Sequence, residues 1–120
     1  MEIFHSLEQS PVVSGFEILE FRTWEDGFYY KIKIGIQDGS LLFAREFYNQ
    51  NERHYSFHWQ DARGTLLIRW DDAPHHRNLF TFPYHKHLGE SITESLPISL
   101  AQVLDEIAQN VLKKWSGFKT

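Results

Sequence analysis

The sequence predicts an α+β fold: an antiparallel five-stranded meander, a short N-terminal helix, and a C-terminal helix packed on one face of the sheet. Apolar and polar residues alternate with a period of two in consecutive runs separated by short turns, which is typical of antiparallel strands. The last apolar residues instead follow helical spacing, so a helix can cover the apolar side of the sheet. The chain has 120 residues, and we expect a single domain over residues 1–120.

One short helix and the five strands are expected before residue 72. The helix covers residues 2–9, and Pro11 ends it because proline lacks an amide donor and restricts the residue before it. Its apolar side is formed by Ile3, Phe4 and Leu7. The strands are expected around Phe16, Ile18 and Phe21, and at residues 28–36, 41–48, 53–60 and 65–71. Asp38-Gly39 predicts a two-residue hairpin loop, and residues 61–64 predict a second tight turn.

The rest of the chain is predicted to be irregular up to Leu88 and then to close with the second helix. Ser99 followed by Gln102 forms a capping box, which marks the start of a helix. The apolar stripe of this helix consists of Leu100, Val103, Leu104, Ile107, Val111 and Leu112.

Composition excludes several classes of function. The chain has no cysteine, which excludes disulfides, thiol catalysis and zinc–thiolate sites. It has neither a long apolar run nor a signal-like N-terminus, so we expect a cytoplasmic protein. The formal net charge of −4 disfavours broad electrostatic binding of nucleic acid but not a local basic site. Glycine-rich phosphate loops and the GxSxG motif are absent from the sequence.

Turn lengths predict which side chains share the polar face of the sheet. A two-residue loop after Gln37 places Lys31 opposite Glu46, and the next turns place Ser56 opposite Glu46 and near Arg69. The apolar partners are then Trp59 with Leu66, Phe57 with Ile68, and Tyr55 with Trp70. The predicted polar face carries Lys31, Lys33, Glu46, His54, Ser56, His58, Arg69 and Asp71. Such a face is either a functional surface or a solvated one with cross-strand ion pairs.

A histidine-rich segment follows the last predicted strand. It contains His75, His76, His85 and His87, together with Arg77 and Lys86. Histidine suits general acid–base catalysis near neutral pH, and Arg or Lys suits the charge that develops on a phosphate. Folded over the polar face, the segment would complete a metal-independent ribonuclease site. Its catalytic residues would be Glu46, His58, Arg69, Asp71, His75, His76, His85 and His87, with substrate bound by Lys31, Ser56, Arg77 and Lys86.

Two other interpretations of the histidines stay open. His85 and His87 are spaced to place two imidazoles on one side of an extended strand, and Asp71 or Asp72 would add a carboxylate ligand for a metal. The sequence has no HExxH element, and the adjacent Lys86 and Arg77 disfavour a dication, so no metal or other cofactor is expected. Alternatively, the histidines only hydrogen-bond the loop to the sheet.

The chain also resembles a known family. The resemblance is carried by Glu46, by residues 55–60 (YSFHWQ), by residues 67–76 (LIRWDDAPHH) and by residues 81–87 (TFPYHKH). The resemblance extends to residues 38–40 and 104–107. In these segments the chain is similar to the TumE-type toxin family of toxin–antitoxin modules. Two positions depart from the family pattern, which has Asn at Asp72 and His at Tyr84. Asp72 therefore adds a negative charge to the predicted site, which disfavours phosphate.

The resemblance implies a toxin that inhibits growth when free and that binds a cognate antitoxin, which we expect to be a DNA-binding protein. RNA is the expected substrate because the predicted site combines histidines with cations. A toxin that blocks its target by binding, without catalysis, and a metal-dependent phosphoesterase are the alternatives. A homodimer is compatible with an exposed edge strand and with the aromatic content of 16%.

Overall fold

The computed structural model describes residues 2–116, which form two helices and seven strands. Their bounds are α1 Glu2–Gln9, β1 Val13–Trp24, β2 Gly27–Ile36, β3 Leu41–Tyr48, β4 Arg53–Gln60, β5 Leu66–Asp71, β6 His85–Leu88, β7 Ser91–Glu94 and α2 Leu100–Ser116. The strands form one antiparallel sheet in chain order, β1 to β7. The α+β class, the meander and both helices are therefore confirmed. None of the described helices is long and apolar enough to cross a membrane.

The predicted number of five strands is wrong, because β6 and β7 lie in or just beyond the segment that the sequence predicts to be irregular. β6 consists of His85, Lys86, His87 and Leu88, so polar residues lie on both of its sides and no apolar alternation marks it as a strand. β6 pairs with β5 along its whole length, and β7 closes a hairpin onto it after Gly89. Cross-strand pairing therefore stabilises a strand that the hydrophobic pattern does not indicate.

The core lies between one face of the sheet, here called the inner face, and the two helices. Buried side chains from β2, β4 and β5 contact buried residues of α2 in one apolar cluster. The largest of these fully buried sheet residues are Trp70, Tyr30 and Phe57. The prediction that α2 covers the apolar face is confirmed, but Leu112 does not belong to the stripe because it is 54% exposed. The opposite face of the sheet, here called the outer face, is uncovered by either helix.

The capping box that the sequence predicts starts α2. The backbone N–H of Gln102 donates to Ser99 Oγ over 3.2 Å, and the N–H of Ser99 donates to Gln102 Oε1 over 2.9 Å. We expect Ser99→Ala to lower the free energy of unfolding by about 1 kcal/mol, because one amide of the first turn loses its acceptor. Chemical denaturation of the variant beside Ser91→Ala, an exposed serine on β7, measures the difference. Equal stability of both variants would contradict a stabilising role for the cap.

Two of the predicted hairpin registers are wrong by one residue. The β2–β3 loop holds three residues rather than two: Gly39 N–H donates to Ile36 O, and Gly39 adopts a φ of 89°. Lys31 consequently lies opposite Arg45, not Glu46. On the next hairpin Arg45, not Glu46, lies opposite Ser56. Because alternate residues point to opposite faces, this slip moves Glu46 to the inner face.

The β4–β5 register is also displaced, but by two residues. In the structure Phe57 lies opposite Trp70 and Trp59 lies opposite Ile68. The register predicted from the sequence placed Phe57 opposite Ile68 and Tyr55 opposite Trp70. The turn contributes one residue, because it places Gln60 opposite Leu66 rather than Thr65, and a register shift between Trp59 and Gln60 contributes the other. A displacement by two residues leaves every side chain on its predicted face, so the apolar partners of β4 and β5 stay buried.

Glu46 takes part in a buried polar group on the inner face. Its carboxylate accepts a hydrogen bond of 2.8 Å from the Tyr30 hydroxyl and forms an ion pair with Arg53. Arg53 also donates to the Ile98 carbonyl over 2.7 Å, which ties the segment before α2 to the sheet. Burial, followed by the negative charge of Glu46, raises the pKa of Tyr30 well above its usual range. Glu46 is therefore placed to hold the fold together.

Candidate functional site: a cationic cleft and a histidine cluster

Two rows of side chains cross the outer face of the sheet from β2 to β6. The first row consists of Lys31, Arg45, Ser56, Asp71 and His85, each directly opposite the next. The second row consists of Lys33, Phe43, His58, Arg69 and His87. Directly opposed residues point to the same face, so the rows lie side by side. On β1, Glu20 lies opposite Lys31 and Glu17 lies opposite Lys33. The sheet therefore gathers cations on β2 and β3, bordered by two carboxylates of β1, and histidines at its β6 side.

A cleft of about 490 Å³ opens on this face between the two rows. Its lining consists of Tyr29, Lys31, Phe43, Ala44, Arg45, Ser56, His58 and Arg69. No carboxylate lines it, although the chain as a whole has a formal charge of −4. Within the described part of the chain, neither Lys31 nor Arg45 has an ion-pair partner. The cleft is therefore locally cationic on an acidic protein, which suits an anionic ligand.

Arg69 connects the cleft to the histidines. Its Nε donates to Asp71 Oδ2 over 3.0 Å, and its Nη1 lies 3.2 Å from His58 Nδ1. A guanidinium can only donate, so His58 Nδ1 accepts this hydrogen bond and carries no proton in the neutral ring. Asp71 thereby orients Arg69, and Arg69 fixes the tautomer of His58.

The electrostatic surroundings of His58 favour its neutral form. Partial burial and then the positive charge of Arg69 lower the pKa of His58 below its ordinary value of 6.5, against a hydrogen bond to Gln60 that raises it. Lys31 and Arg45 line the same cleft, and Lys33 lies in the same row on β2. A neutral imidazole among cations is suited to accept a proton at neutral pH.

Three histidines meet at the other side of Arg69. His76 comes from the loop after β5, whereas His85 and His87 come from β6, and one nitrogen of each lies within 4.8 Å of the others. The buried carboxylate of Asp71 faces the group, with Oδ1 2.8 Å from His85 Nε2 and Oδ2 3.7 Å from His87 Nε2. Burial lowers the pKa of His87 despite the opposing effect of Asp71. The segment that the sequence singles out thus folds back beside the outer face, as predicted.

Four of the other predicted site residues lie away from the cleft. Lys86 points to the inner face, where its Nζ lies 3.4 Å from Glu106 of α2, and Glu46 shares that face. His75 is exposed and stands apart from the histidine group. Arg77 is exposed and stacks over the ring of Phe82 at 5.7 Å. The structure therefore separates these residues from Lys31, Ser56, His58 and Arg69.

Asp72 is also outside the cleft. Its Oδ2 lies 2.9 Å from His54 Nδ1, and its Oδ1 accepts the N–H of Tyr55 over 3.3 Å. Hydrogen bonds to Glu52 and then Asp72 raise the pKa of His54. The extra negative charge at position 72 is therefore held by a histidine rather than presented to a ligand in the cleft.

Four residues that line the cleft are absent from the predicted site, namely Tyr29, Phe43, Ala44 and Arg45, and Arg45 is the charged one among them. It is exposed on β3 and contributes the central cation of the cleft between Lys31 and Ser56. The Asp-Gly pair is also compatible with a three-residue loop that ends in Gly39. That loop would have predicted Arg45, rather than Glu46, opposite Lys31.

Comparison with known proteins identifies the class of protein to which this chain belongs. A family model described as Toxin TumE matches residues 3–114, nearly the whole chain. The protein is therefore of the toxin class of toxin–antitoxin modules. It belongs to the TumE toxin family, which confirms the resemblance found in the sequence and implies an antitoxin partner. Comparisons with curated proteins and with solved structures found no match.

Proposed function

We propose that this toxin cleaves RNA in the cationic cleft, without a metal ion in the reaction. The observation that supports the proposal is the meeting of Lys31, Arg45 and Arg69 with a neutral His58 in one cleft that has no carboxylate in its lining. Cations bind the phosphate backbone and stabilise the charge that develops during phosphoryl transfer. An imidazole beside them supplies a base of suitable strength.

The reaction follows from the positions of the protons. A bound phosphate accepts the hydrogen bond that Arg69 Nη1 otherwise donates to His58, which leaves His58 Nδ1 free. Nδ1 then accepts the proton of the ribose 2′-hydroxyl, whose oxygen forms a bond to the adjacent phosphorus. The bond from phosphorus to the 5′-oxygen breaks, and that oxygen takes a proton from the Tyr29 hydroxyl or the Lys31 ammonium. The products are a 2′,3′-cyclic phosphate and a 5′-hydroxyl.

Arg69 and Asp71 have different roles in this proposal. Arg69 contacts the phosphate, whereas Asp71 is a positioning residue that holds the guanidinium through Nε. Ser56 contributes a hydroxyl between Arg45 and Asp71 in the first row. Direct participation of His75, His76, His85 or His87 in the reaction stays a prediction, as does substrate binding by Arg77.

The pH dependence of cleavage follows from His58. Burial and Arg69 lower the pKa of His58, so its basic form persists below pH 6.5. We expect the rate to fall only as pH decreases through this lowered pKa, and to be level from about pH 6.5 to neutrality, because the base is then neutral throughout. Initial rates on a short RNA between pH 4.5 and 8 measure the profile. An acidic limb above pH 6.5 would contradict the assignment of His58 as the base.

The test of the proposed function uses purified toxin and total cellular RNA, with and without EDTA. Cleavage in EDTA that leaves 2′,3′-cyclic phosphate ends supports the proposal. Cleavage that EDTA abolishes would favour a metal-dependent phosphoesterase instead. Intact RNA together with undiminished toxicity in cells would favour a toxin that blocks its target by binding.

Three finer features stay predictions. They are a DNA-binding antitoxin, a homodimer of the toxin and a cytoplasmic location. The structure bears on the second, because β1 is an edge strand whose side chains are nearly all exposed. Its large exposed apolar residues are Phe16, Ile18, Leu19, Phe21 and Trp24. An edge of this kind can pair with another chain.

A further inference from the structure

We infer that His76, His85 and His87 together bind one divalent transition-metal ion of the zinc type, beside the cleft. The three histidines take no part in the proposed cleavage step, and metal binding is measured without RNA; the inference shares with that step only Asp71, which positions Arg69 there. Three observations lead to it: the approach of the three rings, the hydrogen bonding of His85, and the position of the Asp71 carboxylate.

The three imidazoles converge on one point from two segments of the chain. Their ring centroids lie 4.8 Å (His76–His85), 4.9 Å (His85–His87) and 5.8 Å (His76–His87) apart, and each pair of rings meets at 71° to 75°. One nitrogen of each lies within 4.8 Å of the other two. A tetrahedral ion with bonds of about 2.0–2.1 Å needs nitrogens about 3.3 Å apart, so the rings close by up to about 1.5 Å when the site is filled.

His85 is oriented as a metal ligand normally is. Its side chain is almost fully buried, and Nδ1 lies 2.9 Å from the Pro83 carbonyl. A carbonyl only accepts hydrogen bonds, so Nδ1 carries the proton and Nε2 presents its lone pair to the histidine group. A ligating histidine commonly donates its other N–H to a backbone carbonyl, which fixes its tautomer and orientation.

The lone pair of His85 Nε2 faces a carboxylate oxygen, Asp71 Oδ1, over 2.8 Å. Two acceptors at this distance repel each other unless a positive charge lies at Nε2. A metal ion held by the three histidines supplies that charge, and Asp71 then serves as its fourth ligand or as the partner of a bound water. The competing explanation is a second proton on His85, which would give a buried imidazolium–carboxylate pair.

The ligand set indicates the class of ion. Three imidazoles with at most one carboxylate suit Zn²⁺, Co²⁺, Ni²⁺ or Cu²⁺, and disfavour Mg²⁺ and Ca²⁺, which require mainly oxygen ligands. The nearest cation, Arg69, is paired with Asp71, and Lys86 points away to Glu106. The bound ion would join the loop that carries His76 to strand β6.

The experiment measures metal binding by the full chain without a histidine tag, after dialysis against chelator. Co²⁺ is titrated while the visible absorption that marks tetrahedral coordination is recorded, and Zn²⁺ affinity is measured by competition with a chromogenic chelator. We expect one saturable site in the wild-type protein. His76→Ala and His87→Ala should weaken Zn²⁺ binding by more than the roughly 10–100-fold typical of losing an outer-shell partner.

The matched control is His75→Ala, which removes the exposed histidine next to His76 and should bind Zn²⁺ as the wild type does. His76 and His87 are preferred to the buried His85 as targets, because both are partly exposed and their loss should spare the fold. Circular dichroism of each variant confirms folding. Zn²⁺ should also raise the melting temperature of the wild type and of His75→Ala, but not of His76→Ala.

Two results would overturn the inference. One is the absence of saturable binding by the folded wild-type protein, which would leave the protonated His85–Asp71 pair as the explanation of the geometry. The other is equal binding by the wild type, His76→Ala and His87→Ala, which would place the ion on other histidines. Neither result would affect cleavage in the cleft, because Lys31, Arg45 and His58 are outside the histidine group.

Discussion

His58→Ala is expected to lower the rate of RNA cleavage by about 10²–10⁴-fold, because the cleft then lacks the base that accepts the 2′-hydroxyl proton. The other lining residues supply cations and donors, and none of them can replace an unprotonated imidazole at this position. Single-turnover cleavage of a short RNA by purified protein measures the loss. In cells that lack the antitoxin, the same substitution should relieve growth inhibition.

The control for this prediction is His54→Ala on the same strand. His54 is exposed and bonded to Glu52 and Asp72, so its removal should leave cleavage within about twofold of the wild type. His58 points away from the core, and both variants should melt within a few degrees of the wild type. Full activity of a folded His58→Ala, or an equal loss in His54→Ala, would show that the base lies elsewhere.

The sequence predicts the face of the sheet to which a side chain points better than it predicts the cross-strand neighbour of that side chain. On β4 and β5, burial fixes the faces because Phe57, Trp59 and Trp70 must all point inward. A displacement of two residues changes every cross-strand neighbour and leaves that requirement satisfied. Ser56, His58, Arg69 and Asp71 therefore share the outer face as predicted, although Arg69 lies opposite His58 rather than Ser56.

On strand β3 the burial of apolar residues does not fix which side chains point inward, and the charge of the site depends on that orientation. Its inner residues are Leu42, Ala44 and Glu46, and its outer residues include Phe43 and Arg45, so both sides mix apolar and charged groups. The hydrophobic pattern cannot decide between them. The two errors of one residue, before and after β3, cancel for Lys31 and Ser56. They do not cancel for β3 itself, so Arg45 occupies the outer-face position that the sequence predicts for Glu46.

The histidine group could be predicted only in part. The spacing of His85 and His87 does indicate two imidazoles on one side of a strand, and the structure agrees. The third member could not be chosen between His75 and His76, because it depends on how residues 72–84 turn back to β6. The backbone bond from His75 N–H to Ala73 O and the stacking of Arg77 over Phe82 shape that turn, and neither has a sequence signature.

Glu46→Ala should lower the free energy of unfolding by about 2–4 kcal/mol, since it leaves Arg53 and the Tyr30 hydroxyl without their shared carboxylate. Glu46 is only 10% exposed, whereas Arg53 is 27% exposed, which is why the expected cost lies toward the lower part of the range for buried pairs. Urea denaturation, followed by tryptophan fluorescence, measures the change.

Glu52→Ala is the matched control, because Glu52 is an exposed carboxylate whose ion pair with His54 should contribute at most about 1 kcal/mol. The second measurement is cleavage per folded molecule, which Glu46→Ala should leave unchanged because Glu46 and the cleft lie on opposite faces of the sheet. If Glu46→Ala kept wild-type stability but lost cleavage, Glu46 would have a role in the reaction. It would also contradict the separation of a structural inner face from a reactive outer face, on which the assignment of the cleft depends.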